Sequence, residues 1–347
     1  MSDNDHFQIT EAPAISGLVF RHFRGAEDYP KMVSVVLASA EADKTERAES
    51  VEDVAHTYSH LVNCDPYQDM IFAEMNNEVI AYSRGAWFQE ENGPRIYYSV
   101  GFLVPAWRRK GIGSTMLHWI ENRLRAIADS HANMETGMFQ NFANSENLGL
   151  ATMLEQNGYK PIRYFVEMVR PTLENIPDMP LPEGLEIRPV LPEHYRAIWD
   201  ADEEAFRDHW GYAESTEEDY KGWLENKTFF QPELWQIAWD KNTNEVAGQV
   251  RTFINTAEND KYNRRRGYTE FISVRRPWRK QGLARALIVR SLQLQKERGM
   301  TESALGADSE NISGATRIYE DCGFRITKRS AIYRKPIKPN IERKLAQ

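Results

Sequence analysis

The chain has 347 residues, a length that favours two domains over one. It is 41% hydrophobic and 27% charged, as ordinary globular proteins are, and its net charge of -8 argues against a general nucleic-acid binder. Only Cys64 and Cys322 occur, and the eight histidines form no HExxH or Cys/His pattern, so neither a disulfide framework nor a metal site is expected. The first residues, "MSDNDHFQIT", lack the build of a signal peptide, and no apolar run approaches the roughly 18–20 residues needed to cross a bilayer. These features predict a cytoplasmic protein, monomer or homodimer, with no nucleic-acid or membrane partner.

Taken in chain order, "GLVFRHF" (17–23) reads as a short strand carrying Arg21. Residues 96–104, rich in β-branched and aromatic side chains, read as another strand. It leads into "VPAWRRKGIGSTML" (104–117), a basic glycine loop that opens a helix whose Met116, Leu117, Ile120, Leu124 and Ile127 recur at helical spacing. "MLEQNGYKPI" (153–162) ends a second helix at Gly158 and starts a last strand or hairpin. "RPTLENIPDMPLPEGLE" (170–186) then carries four prolines and no periodicity, which marks a boundary.

Beyond that boundary the plan repeats. "GLEIRPV" (184–190) places Arg188 where Arg21 stood, and residues 268–274 form the matching strand. "RRPWRKQGLARAL" (275–287) opens a helix with Leu283, Leu287, Ile288 and Leu294 on one stripe, stopping at Gly299. "IYEDCGFRIT" (318–327) ends at Gly323 as its counterpart does at Gly158. The order is kept, and the spacing between partners is nearly constant. The expected organisation is two tandem copies of one α/β domain, at 1–170 and 184–347 with a linker at 171–183. Each copy should fold as an α+β mixed sheet with flanking helices.

A strand that ends in Arg-x-x-Gly-x-Gly/Ala and enters a helix directly makes an anion site. Backbone N–H groups at the helix start are unpaired, and the helix dipole adds positive potential. A pyrophosphate is the natural guest. No Gly-Lys-[Ser/Thr] follows, which excludes a Walker loop, and the first glycine of a dinucleotide fingerprint is absent. A solvated basic turn is the plain alternative, but its recurrence in one context weakens it.

Both copies resemble the GNAT superfamily of acyl-CoA-dependent N-acyltransferases, and the tandem layout is similar to that of mycothiol synthase. Arg108-Arg109-Lys110-Gly111-Ile112-Gly113 and Arg279-Lys280-Gln281-Gly282-Leu283-Ala284 match that family's coenzyme A pyrophosphate loop. "NISGATRIYEDCGF" (311–324) resembles its second block. The resemblance implies acetyl-CoA as cosubstrate, no metal, and a small-molecule or peptide amine as acceptor. It also implies that Tyr319 protonates the departing thiolate and that Asn311 contacts the pantetheine arm, although Asn311 equally suits a turn. Strand alternation puts Glu270, Ile272 and Val274 on one face, with the last two lining the coenzyme; Glu270 is the candidate base, and it equally suits an exposed carboxylate at a strand end. The matching positions in the first copy are Leu154 and Ser99, neither able to act, so the second copy is the expected catalytic one.

Three further features complete the reading. Arg264, Arg265 and Arg266 read as a solvated turn, and Cys322 as a small core residue. The second copy's early helices interleave Phe206, His209, Trp210, Tyr212, Tyr220, Trp223, Phe229, Phe230 and Trp235 with Asp202, Glu203, Glu204, Asp208, Glu217, Glu218 and Asp219. Such a wall suits an amine-bearing acceptor; core aromatics with a solvated acidic face are the alternative. An acyl-CoA-binding regulatory or scaffold protein is the competing function, and a nucleotide-dependent enzyme a third.

Overall fold

The computed structural model describes residues 6–131, 136–310 and 314–338, so Asn311 lies outside the described residues. The chain divides into two compact units, one of Met1–Ile162 with Ala331–Gln347 and one of Arg163–Ser330. Among the described residues no helix is long and apolar enough to cross a membrane.

The first unit builds a sheet from β1 (His6–Phe7), β2 (Leu18–Arg21), β3 (Met70–Met75), β4 (Glu78–Gln89), β5 (Arg95–Leu103) and β6 (Met138–Asn144), in that spatial order. Its helices are α1 (Tyr29–Ala42), α2 (Val51–Ser59), α3 (Ile112–Asp129) and α4 (Leu148–Gln156). The stripe predicted on α3 is the buried one: Met116, Leu117, Ile120 and Leu124 pack with Phe20, Ile71, Tyr97 and Phe139.

The second unit repeats this plan with β8 (Leu185–Ile187), α5 (Tyr195–Phe206), α6 (Glu217–Glu225), β9 (Gln236–Asp240), β10 (Val246–Phe253) and α7 (Thr256–Tyr262). It continues through β11 (Arg266–Val274), α8 (Leu283–Glu297), β12 (Glu302–Asp308) and α9 (Ala315–Asp321). Residues 171–184 form neither helix nor strand.

The sequence copies and the compact units differ at their ends. β7 (Lys160–Arg170) closes the first copy, yet it pairs antiparallel with β12 from Ser303↔Arg170 to Asp308↔Phe165, and Val166 and Met168 lie in the second unit's core. Conversely, the far half of β13 (Arg325–Pro336) belongs to the first unit. Ala331, Tyr333 and Ile337 pack there with Phe139, Leu154 and Tyr159. Arg334 bonds Gln140 at 2.8 Å and Glu90, and Lys335 reaches Glu121 at 2.6 Å. Truncating a buried side chain of this size typically costs about 2–5 kcal/mol. Tyr333→Ala is therefore expected to destabilise the first unit, although the residue lies late in the second copy; a melting temperature unchanged in thermal unfolding would refute this assignment.

Candidate active site

β11 and β12 run parallel but pair only at Arg266↔Glu302, Gly267↔Ser303 and Tyr268↔Ala304. Beyond Tyr268 the two strands no longer pair, while β12 stays paired along its other edge with β7 out to Asp308. The wedge so formed is lined by backbone groups that neither strand's ladder satisfies. Glu270 stands just inside it, and its Oε1 accepts a hydrogen bond from the Gly306 N–H across the opening at 2.7 Å. A Cβ at Gly306 would lie 3.6 Å from that oxygen, so the missing side chain leaves room for the carboxylate. Removal of the carboxyl from water pushes the Glu270 pKa up to about 8. The Gly306 N–H works against this shift, and the Glu167 carboxylate adds to it. Glu167, on β7 opposite Gly306, is a neighbour that sequence reasoning missed, because only the β7–β12 register brings it there.

The alternation expected for this strand is broken. Between β10 and β11 the register runs Gln249↔Ser273 and then Arg251↔Glu270, so residues 271 and 272 together face Val250. This is a β-bulge, and Phe271 within it adopts a φ of 50°, a left-handed conformation rare for an aromatic residue. The extra residue flips the phase. Glu270 shares the α5 side with Ser273, whose hydroxyl reaches Asp202 on that helix, while Ile272 and Val274 join the core around Leu283. The common face predicted for Glu270, Ile272 and Val274 is thereby corrected. The same insertion moves the counterpart of Glu270 in the first copy. β4 and β5 pair without interruption, and the residue opposite Arg84, as Glu270 is opposite Arg251, is Val100 rather than Ser99. Ser99 instead bonds Asn141.

The glycine loop follows β11. Lys280 has a φ of 62° and Gly282 one of 86°, a backbone that glycine adopts without a Cβ penalty at the start of α8. No side chain caps the helix there, and nothing lies within 4 Å of where a Gly282 Cβ would be. The helix start therefore offers open N–H donors to an anion. Arg279 is spent inside the protein: its guanidinium donates to Val274 O (2.9 Å), Asp208 (2.6 Å) and Ala205 O (3.1 Å). Gln281 donates to Pro277 O at 3.1 Å, while Lys280 is exposed. Leu283 is buried in the core, so only its backbone faces the loop, and Ala284 follows half-buried.

The first copy has the same backbone with a different surface. Arg109 has a φ of 61°, and Arg108 is braced to Leu103 O, Ser39 and Asp43 as Arg279 is to its partners. Lys110 lies 4.3 Å over the Trp107 ring, and Ile112 is buried. A Cβ on Gly113 would sit 3.2 Å from the Met153 sulfur. Gly111 is exposed as Gly282 is, but a Cβ there would touch Pro13 at 3.6 Å, and the Glu11 carboxylate lies 3.8 Å from His118 on α3.

Tyr319 on α9 is 8% exposed, and its hydroxyl has no hydrogen-bond partner among the described residues. Burial raises its pKa above the ordinary 10, and the charges of Glu270 and Cys322 add to this, so it holds its proton at neutral pH. Its counterpart Leu154 is fully buried, and Cys322 is a core residue as expected.

The acidic residues of α5 and α6 are largely engaged within the protein. Asp202 pairs with Arg251, Glu203 accepts from Tyr212 and Ser215, and Glu204 pairs with Arg275. Asp208 holds Arg276 and Arg279, Glu217 pairs with Arg196, Glu218 with Lys221, and Asp219 closes the N-terminal cap of α6 with Thr216. Tyr195, Trp199, Tyr220, Trp223, Phe230 and Trp235 form one chain of ring contacts beside them. Of the arginine run, Arg264 turns inward onto Glu258 and Arg266 onto Glu302 at 2.7 Å, while Arg265 is exposed, as a solvated turn requires.

Residues 36–144 and again 195–324 match the Acetyltransferase (GNAT) family. A mycothiol acetyltransferase of Salinispora arenicola (strain CNS-205) is 28% identical over 223 residues, covering 63% of this chain and 67% of its own length. The enzyme of that name from Thermobifida fusca (strain YX) is 25% identical over 252 residues, 67% of this chain and 72% of that one. The crystal structure of a GCN5-related N-acetyltransferase from Sphaerobacter thermophilus superposes with a TM-score of 0.71 at 26% identity, over 94% of this chain and 98% of that one. A tandem GNAT protein from the clavulanic acid biosynthesis pathway superposes at 0.64 and 15% identity, over 93% and 99%, which speaks to the fold. Matched in both copies, the chain belongs to the Acetyltransferase (GNAT) family and is an acyl-CoA-dependent acetyltransferase.

Proposed function

We propose that this acetyltransferase moves the acetyl group of acetyl-CoA to a primary amine of a small molecule or peptide, by direct attack in the second copy. The observation that carries the reading is the wedge between β11 and β12, where a carboxylate with a raised pKa stands beside a bulge. The pyrophosphate sits on the open start of α8 at Gly282, held by the backbone N–H groups of Leu283 and Ala284 and by the charge of Lys280. Arg279 shapes the loop from within. The pantetheine arm runs into the wedge along the backbone of Ile272 and Val274, whose side chains pack into the core.

The thioester carbonyl is directed at the backbone amides of the bulge, residues 271 and 272, which would stabilise the developing oxyanion. Glu270, directly or through a water, takes the proton of the attacking ammonium, and Tyr319 gives one to the thiolate. The burial of Cys322 favours this route over a thiol relay. A thiol-release assay with acetyl-CoA across amines, amino sugars and peptides tests the proposal, and the relatives' name puts mycothiol-related amines first in the panel. Binding of acetyl-CoA without thiol release from any amine would instead support the regulatory or scaffold alternative.

The coenzyme count is a separate expectation. Pro13 packs beside Gly111 whereas nothing lies within 4 Å of a Cβ at Gly282, and on this difference calorimetric titration should find one acetyl-CoA per chain, in the second copy. Gly282→Glu places a side chain and a like charge in the phosphate seat and should remove that binding. Two equivalents per chain, or one retained by Gly282→Glu, would put a coenzyme in the first copy.

A further inference from the structure

The β11 bulge is held by a buried polar cluster that the reaction scheme leaves unused. Asp202 on α5 is 8% exposed and accepts three hydrogen bonds from two strands. Its Oδ1 accepts from Ser273 Oγ (2.8 Å) and Gln249 Nε2 (3.1 Å), and its Oδ2 from Arg251 Nη2. Gln249 also donates to Ile198 O at 3.1 Å. Arg251, 4% exposed, has Nε and Nη1 without hydrogen-bond partners among the described residues. Its guanidinium lies instead 4.3 Å over the ring of Phe271 and 5.4 Å from that of Trp223.

These contacts bracket the bulge. Ser273 and Gln249 are the cross-strand pair on one side, Arg251 and Glu270 the pair on the other, and Phe271 lies between them. A single carboxylate thus holds both flanks, and through Arg251 it reaches the residue at positive φ. The first copy makes the contrast. Its β4–β5 ladder has no bulge, Tyr82 and Phe102 stand as an aromatic pair where Gln249 and Ser273 would be, and the corresponding turn of α1 carries Val36 and Leu37. The bulge-free copy keeps only Arg84 at the place of Arg251, set over the Tyr58 ring, and lacks the carboxylate of Asp202, the amide of Gln249 and the hydroxyl of Ser273 at their places.

We propose that Asp202 and Arg251 are positioning residues, a buried clamp that fixes the β11 bulge and thereby the placement of Glu270 and the amides at 271 and 272. The proposal rests on the second copy being the catalytic one only for its consequence in rate; the clamp itself is open to measurement without an acceptor. Asp202→Ala would strand a buried guanidinium and threatens folding, so the test uses Ser273. Ser273→Thr and Ser273→Val add the same volume to a strand position, and only threonine keeps the hydroxyl that reaches Asp202.

Hydrogen exchange of the 266–275 segment in the free protein is the direct measurement. Ser273→Val should exchange at least about tenfold faster there than Ser273→Thr, with α8 unchanged, because freed amides exchange through local opening. In thiol release kcat should fall for the valine variant and not for threonine, with acetyl-CoA affinity equal in the two. Equal exchange in both variants would overturn the clamp. A wild type that releases no thiol would overturn the proposed function but leave the exchange comparison decisive.

Discussion

Tyr319→Phe is expected to lower kcat by about 10²–10⁴, the usual worth of general acid catalysis, while folding and acetyl-CoA affinity stay near the wild type. The substitution keeps the ring that packs in the second unit's core and removes one hydroxyl. The raised pKa of that hydroxyl keeps it protonated across the working range, as a donor to a thiolate must be. The measurement is thiol release on the best acceptor with chemistry limiting. A rate within about twofold of wild type, only ~0.4 kcal/mol of barrier, would remove Tyr319 from the mechanism.

Glu270→Gln carries the second large effect, and its signature is in pH. A base must be ionised, and burial sets the Glu270 pKa at about 8, so wild-type kcat/KM should climb with pH and bend near that value. In the glutamine variant the bend should vanish, and the rate should follow the acceptor's own ionisation, so that the deficit narrows in alkaline solution. Stability should move the opposite way. The folded pKa lies above the ordinary 4.5, so the folded state binds the extra proton between these values, and wild-type stability falls as pH rises through that window. The melting temperature of Glu270→Gln should therefore gain on the wild type from pH 5 to pH 8. A bend near 8 that survives in the variant, or a stability difference flat in pH, would show that another group titrates.

The tandem plan was legible because its markers are local. Gly111 and Gly282 recur where each loop needs a left-handed residue, and the apolar stripes of α3 and α8 repeat at helical spacing. Three features were not legible, and each depends on a partner distant in sequence. The exchange of terminal strands leaves no trace in β7 or β13, whose patterns suit pairing with any neighbour. The bulge is one extra residue in β11 that constant spacing hides, and it moved the counterpart of Glu270 from Ser99 to Val100. Arg279 looked like phosphate charge because Asp208, which claims it, lies on another element. The partners of the acidic wall were hidden for the same reason, since arginines and cap positions elsewhere in the sequence engage most of its carboxylates.

The most direct test of the account compares thiol release by Gly282→Glu and Gly111→Glu chains under one assay. Both glycines sit at nearly the same positive φ, 86° and 88°, so the two substitutions carry similar backbone strain and differ in which copy they block. The account predicts that Gly282→Glu abolishes turnover while Gly111→Glu keeps most of it. Turnover lost in Gly111→Glu and kept in Gly282→Glu would place the chemistry in the first copy and contradict the account.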